Sequence, residues 1–91
     1  MSATIYTIIK EFFVQIHGNA VKARILSPIN DDEKFIFQIN FYFRNNSEAE
    51  PNVPNFSFNS YATAERHLLS YLEAFQNTLD LGGDVAPGTT F

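Results

Sequence analysis

The feature that most constrains the fold is a run of alternating apolar residues at 34–44, KFIFQINFYFR. An extended backbone turns every second side chain to the same side of a sheet. A helix would scatter these apolar side chains around its circumference, so the period of two predicts a strand. The rest of the chain then has to cover its apolar face. The residues on that face are Phe35, Phe37, Ile39, Phe41 and Phe43.

The length of the chain allows one domain with one hydrophobic core. A chain of 91 residues buries roughly 60–65% of its unfolded surface. Hydrophobic residues make up 45% of the sequence, which is too apolar for a disordered chain. The net charge of −4 and the six Lys and Arg residues argue against nucleic acid as a partner, because phosphates are bound chiefly by cations.

Location is predicted from what the sequence lacks. The first residues do not resemble a secretion signal with its charged segment, apolar run and cleavage site. No run of about 18 apolar residues could span a membrane. We expect a cytoplasmic protein without membrane association.

The segment 4–17 fits two secondary structures. The spacing of its Ile and Phe residues fits one face of a helix, whereas its content of β-branched and aromatic residues suits a strand. Gly18 and Asn19 both tolerate positive φ, and they fit a two-residue hairpin turn. Such a turn pairs Ile16 with Val21 and sets apolar against apolar on one face, so we predict a strand, with a helix as the alternative. The other apolar pairs are Val14 with Ala23 and Phe12 with Ile25.

Two more strands complete the predicted sheet, and a loop precedes the last of them. The second strand covers about residues 20–27 and ends at Pro28, which cannot donate to a ladder. Residues 45–55 lack periodicity and predict a surface loop, and the alternation at 56–59 predicts a short fourth strand. Matching the core faces of the second and third strands gives Ile25 opposite Phe37, Ala23 opposite Ile39 and Val21 opposite Phe41.

A helix follows the strands. Ser60 or Thr63 can cap its start, and Gly82 is suited to the left-handed position after its end. Residues 84–91 contain Pro and Gly without apolar periodicity, which predicts a flexible C-terminal tail. The predicted apolar stripe of the helix consists of Leu68, Leu69, Leu72, Phe75 and Leu79.

Together these elements predict a single α+β domain over residues 1–83. A four-stranded antiparallel sheet carries one C-terminal helix across its Phe-rich face, in the order ββββα. The order αβββα is the alternative if the first segment is helical. The C-terminal helix buries the same stripe in either case, and the phase of the Phe-rich strand predicts Phe41 in the core.

No pattern in the chain indicates catalysis or a bound cofactor. Cysteine is absent, which excludes thiol chemistry and thiolate metal sites. Neither His17 nor His67 has further ligands at a metal-like spacing. No serine stands in a context that selects it as a nucleophile with a base. We therefore predict a protein that is not an enzyme and that holds no metal and no cofactor.

The sheet face away from the helix is the surface most suited to a function. One helix leaves this face open, and antiparallel sheets tolerate water there. Leu26 and Ile36 fall opposite each other on it, among polar groups that include Arg24, a mixture typical of protein interfaces. We predict a small interaction or regulatory domain that forms a homodimer through this face, through the edge of the first strand, or through both. The candidate interface residues are Phe13, Arg24, Leu26, Ile36, Gln38 and Tyr42.

Single-stranded nucleic-acid binding is the alternative function. The ββββα order is similar to that of single-stranded DNA-binding transcription-coactivator and Pur-repeat domains, whose sheet faces are basic and carry aromatic residues. The resemblance implies a contact through the same face of this chain. The residues available for it are Lys22, Arg24, Lys34 and Arg44 with Phe13 and Tyr42.

Overall fold

The computed structural model describes residues 4–91, which form two antiparallel sheets and one helix. The main sheet has the strand order β1-β2-β3-β5 and packs against helix α1, while β4 and β6 form a small second sheet. The predicted α+β fold with a four-stranded antiparallel sheet is confirmed, and residues 1–3 of the predicted domain lie outside the described residues. The elements are β1 (Tyr6–Ile16), β2 (Asn19–Pro28), β3 (Phe35–Ile39), β4 (Phe41–Arg44), β5 (Ser57–Phe58), α1 (Tyr61–Asp80) and β6 (Asp84–Pro87).

The first segment is a strand, so the alternative with an N-terminal helix is wrong. The hairpin turn consists of His17 and Gly18, with φ of 50° and 80°, and not of the predicted Gly18-Asn19. Ile16 consequently pairs with Asn19 and not with Val21. The partners have moved by two residues, and because strands alternate with a period of two, the side chains of Phe12, Val14 and Ile16 keep their predicted face. The other predicted pairs are likewise replaced, by Val14 with Val21 and Phe12 with Ala23.

A β-bulge at Ile9 divides β1 into two stretches that face opposite ways. Ile8 pairs with Leu26, whereas Lys10 pairs with Ile25, so Ile9 is an extra residue in the ladder. An inserted residue reverses the alternation of side chains along a strand. Tyr6 and Ile8 therefore face away from the helix, while Phe12, Val14 and Ile16 face the core.

The predicted register between β2 and β3 is confirmed over most of its length. Ile25 lies opposite Phe37, and Ala23 lies opposite Ile39. All four side chains are buried between the sheet and the helix. On the other side of the same two strands, Leu26 lies opposite Ile36, as predicted.

The long Phe-rich strand of the prediction is interrupted at Asn40. The side-chain oxygen of Asn40 accepts a hydrogen bond from the Lys22 backbone N–H at 2.8 Å, and its amide donates to the Ala20 carbonyl at 3.1 Å. Side-chain bonds to the neighbouring backbone compete with a regular ladder. The predicted pair of Val21 with Phe41 does not form, because β4 leaves the main sheet and pairs with β6.

Residues 84–87, the first half of the predicted flexible tail, form a strand. Asp84–Pro87 is a strand that pairs with β4, placing Val85 opposite Phe43. Ala86 of the same strand is buried. A strand of four residues is too short to show an apolar periodicity of its own, and its order comes from backbone pairing with β4.

Both ends of the helix follow the sequence prediction. The Ser60 side chain accepts a hydrogen bond from the Thr63 backbone N–H at 3.1 Å, which satisfies an amide that the first turn leaves free. Gly82 follows the last turn with φ of 93°.

No helix within residues 4–91 is long and apolar enough to cross a membrane.

The core is closed by aromatic side chains between the helix and the two sheets. Phe43 packs against Tyr71 and Phe75, with ring centroids 4.8 and 5.5 Å away. Phe41, expected in the core, is only half-buried because β4 turns away from the main sheet. In the predicted helix stripe, Leu69 is 49% exposed. The buried helix residues are Ala64, Leu68, Tyr71, Phe75 and Leu79.

The different burial of two phenylalanines gives a stability prediction. Phe37 is fully buried, so Phe37→Ala should lower the free energy of unfolding by about 3–5 kcal/mol through lost burial and a cavity. Phe41→Ala should cost clearly less, because the ring already contacts water. Urea unfolding followed by circular dichroism measures both, and equal losses would contradict the placement of Phe41.

Deletion of residues 84–91 should destabilise the protein. The deletion removes β6 and uncovers Phe43, so we expect a loss of at least about 2 kcal/mol in the free energy of unfolding. Deletion of residues 90–91 alone is the control, since it leaves β6 intact. An unchanged unfolding midpoint after the longer deletion would show that β6 adds nothing to the fold.

Candidate interaction surface

The side of the main sheet turned away from α1 is called the outer face here. Strands β1, β2 and β3 all contribute to it, and their alternation sends the other half of their side chains into the core. The outer face is formed by Tyr6, Ile8 and Phe13 of β1, Lys22, Arg24 and Leu26 of β2, and Ile36 and Gln38 of β3.

The centre of the outer face is apolar. Leu26 is only 5% exposed although it points away from the helix. Its cover comes from Ile36 on β3 and Ile8 on β1, the residues opposite it on either side. Tyr6 and Ile8 remain 45% and 48% exposed at the edge of this cluster. The cluster surrounds a surface hollow of about 390 Å³.

Arg24 lies beside the apolar centre in a fixed orientation. Its Nε–H donates to Gln38 Oε1 at 2.8 Å, across the β2–β3 pair. The guanidinium carbon lies 4.2 Å from the centroid of the Phe91 ring, a cation–π contact. Arg24 is half-buried, so its side chain lies along the sheet surface and does not extend freely into water.

Phe13 borders a second hollow, next to the hairpin. The side chain is 61% exposed and lies opposite Lys22 in the ladder. This hollow has a volume of about 400 Å³ and includes Glu11, Arg24 and Phe91 in its wall. It is therefore mixed in character, with two cations, one carboxylate and three phenylalanines among its lining residues.

Tyr42 belongs to the second sheet and not to the strand in which it was predicted. It nevertheless lies at the rim of the outer face, where it shares a small hollow with Ile36 and Gln38. Its ring packs against Phe56, with the centroids 6.3 Å apart. The structure thus brings together all six candidate residues, five on the main sheet and Tyr42 beside them.

Three residues of this surface were missed by sequence reasoning. Regular alternation from Phe12 and Val14 would place Tyr6 and Ile8 on the core side of β1, and only the bulge turns them to the outer face. The sequence signal for the bulge is Lys10, a charged residue that interrupts the apolar series at even positions. In the structure, Lys10 Nζ lies 3.8 Å from Glu65 Oε2 of the helix. No sequence pattern placed Phe91 on this surface.

The free edge of β1 adjoins the outer face. β1 is the first strand of the sheet, so one side of its backbone has no neighbouring strand among residues 4–91. The Ile5 carbonyl accepts a hydrogen bond from the Ile29 N–H. By alternation, the backbone N–H and C=O groups of Tyr6 and Ile8 point away from β2, towards the free edge of the sheet. Exposed apolar edge strands invite pairing with another chain.

The two ends of strand β2 differ in the charged residues near them. Within residues 4–91 the ion pairs are Lys10–Glu65, His17–Asp80 and Arg44–Asp84. Lys22 and Arg24, towards the hairpin, are in none of them. The turn after β2, at the other end, is exposed and acidic, with Asp31, Asp32 and Glu33.

The histidines serve the fold. His17 Nε2 lies 2.6 Å from Asp80 Oδ1 and joins the hairpin turn to the end of the helix. His67 packs against the Phe58 ring, with centroids 5.0 Å apart. Within residues 4–91, no three His, Asp or Glu side chains are grouped so that they could hold a metal ion.

Comparisons of the chain with protein-family models, with curated proteins and with solved structures found no match. Function has to be inferred from the residues of the outer face.

The contact between His17 and Asp80 gives a pH prediction. Hydrogen bonds from His17 and then Gln76 lower the pKa of the Asp80 carboxyl below its ordinary value. Its ionised form is favoured in the folded protein, so this stabilisation is present above the ordinary carboxyl pKa, about 4, and is lost as the pH falls through the lowered value.

His17→Asn removes the imidazole while retaining a residue that tolerates positive φ. The pKa of Asp80, measured by NMR titration, should rise towards its ordinary value, and the loss of stability in acid should become shallower. An unchanged Asp80 pKa would show that His17 does not donate to it. Gln15→Asn, on the same hairpin outside this contact, is the control.

Proposed function

We propose that the protein is a small non-enzymatic interaction domain that forms a homodimer through its outer face. The observation that carries the proposal is the apolar cluster around Leu26 and Ile36, bordered by the exposed side chains of Tyr6 and Ile8. Contiguous exposed apolar surface rimmed by polar groups marks binding sites on soluble proteins. The composition of the outer face supports this, because aromatic residues and arginine are enriched at the centres of interfaces.

The distribution of charge favours a second copy as the partner. A two-fold axis between two outer faces, perpendicular to the strands, would reverse the strand direction from one copy to the other. Lys22 and Arg24 of each copy would then approach the acidic turn of its partner, at residues 31–33. Complementary charges at the two ends of an interface fix its orientation and steer association.

A charge at the centre of the outer face should weaken the dimer. Ile36→Lys places an unpaired ammonium group in the apolar centre, and we expect the dissociation constant to rise at least about tenfold. Light scattering on a gel-filtration column and sedimentation equilibrium measure it, with circular dichroism to verify folding.

Leu69→Lys is the matched control, since Leu69 is 49% exposed on the helix, far from the outer face. A wild-type protein that is monomeric at about 100 µM would refute the homodimer. A dimer that Ile36→Lys leaves intact would place the interface elsewhere.

Single-stranded nucleic acid is the second candidate partner. It is favoured by the position of Lys22 and Arg24, which make no ion pair within residues 4–91, next to the exposed ring of Phe13. Stacked aromatic residues and a basic groove are the usual components of such sites. A fluorescent oligonucleotide should then bind with an affinity that falls steeply with salt, and no binding at low salt excludes this candidate.

A further inference from the structure

Residues 88–91 leave β6 and cross onto the outer face. The Gly88 N–H donates to the Asn40 carbonyl at 2.9 Å, and the Thr89 N–H donates to the Ile39 carbonyl at 2.7 Å. A Cβ atom at position 88 would lie 2.5 Å from the Ile39 carbonyl oxygen, so only glycine allows this approach. The crossing is thus fixed by backbone contacts at the interruption between β3 and β4.

The segment ends with an aromatic ring on Arg24. The Phe91 ring lies over the guanidinium at 4.2 Å, and it lines the hollow that also contains Phe13 and Lys22. Gln38 holds the guanidinium in place through the bond at Nε. Phe91 remains 42% exposed, so the contact with Arg24 leaves part of this apolar residue in water.

We propose that the Arg24 guanidinium is an acceptor site for an aromatic side chain, that Phe91 of the same chain occupies it, and that the occupied site hinders self-association. The inference rests on the proposed function, because Arg24 is one of the residues that the acidic turn of a second copy would approach. Phe91 covers Arg24 on the side from which that copy comes. Residues 88–91 are thus an intramolecular competitor for the outer face.

The attachment of the segment is weak enough for competition. Two backbone hydrogen bonds and one cation–π contact hold residues 88–91 on the outer face. An exposed cation–π contact changes an equilibrium about two- to fivefold. In both copies Phe91 has to leave Arg24 before the two outer faces meet. The effect on the dissociation constant of the dimer is therefore roughly the square of the effect on one contact, about 4- to 25-fold.

The test compares the dimer dissociation constants of the wild-type protein and Phe91→Ala by sedimentation equilibrium. We expect Phe91→Ala to dimerise about 4- to 25-fold more tightly. Thr90→Ala is the matched control, because Thr90 is exposed in the same segment, and it should behave as the wild type. Circular dichroism verifies that both variants keep the fold.

A second readout follows the ring contact itself and does not depend on dimerisation. In dilute monomeric protein, the side-chain protons of Arg24 should show a ring-current shift by NMR that is lost in Phe91→Ala and kept in Thr90→Ala. An Arg24 spectrum that Phe91→Ala leaves unchanged would overturn the acceptor site.

The outcomes separate this inference from the proposed function. A wild-type dimer whose affinity is the same or weaker in Phe91→Ala overturns the competition while the homodimer stands. A protein that stays monomeric with either residue at position 91 overturns the homodimer and, with it, the competition, and the ring-current shift then decides the acceptor site alone.

Discussion

The pairing of β2 with β3 determines both surfaces of the sheet at once. Ile25 opposite Phe37 places two fully buried side chains under the helix, and the next pair, Leu26 opposite Ile36, forms the apolar centre of the outer face. Because alternate residues of a strand face opposite ways, the register that builds the core also builds the candidate interface. A shift of one residue would exchange the two surfaces.

Two local departures from regular strand structure shape the outer face around this pair. The bulge at Ile9 turns Tyr6 and Ile8 outward, which extends the apolar cluster to the free edge of the sheet. The interruption at Asn40 sends β4 into a second sheet. Through the same interruption, residues 88–91 gain access to the outer face and Phe91 reaches Arg24. The properties proposed for the surface, self-association and its internal competitor, depend on these two features.

The sequence was informative where side-chain periodicity reports burial. It predicted the β2–β3 register, the fourth strand, the helix and Ser60 as one of two candidate caps. It also selected an outer face that holds five of the six candidate residues, with Tyr42 beside them. It failed where backbone conformation and backbone hydrogen bonds determine the structure. The turn at His17-Gly18 and the predicted Gly18-Asn19 both satisfy the same pattern of faces. The hydrogen bonds from Asn40 to the β2 backbone and the pairing of β6 leave no periodic signal. Alternation alone therefore places Phe41 too deep and does not indicate the strand at residues 84–87.

Direct contacts between two copies test the central claim that the outer face is the self-association surface. In a concentrated sample that mixes ¹³C-labelled and unlabelled protein, isotope-filtered NMR detects only contacts between copies. The methyl groups of Leu26 and Ile36 should give such signals, and dilution should abolish them. Intermolecular signals confined to methyl groups of helix α1, such as those of Leu69, would contradict the account.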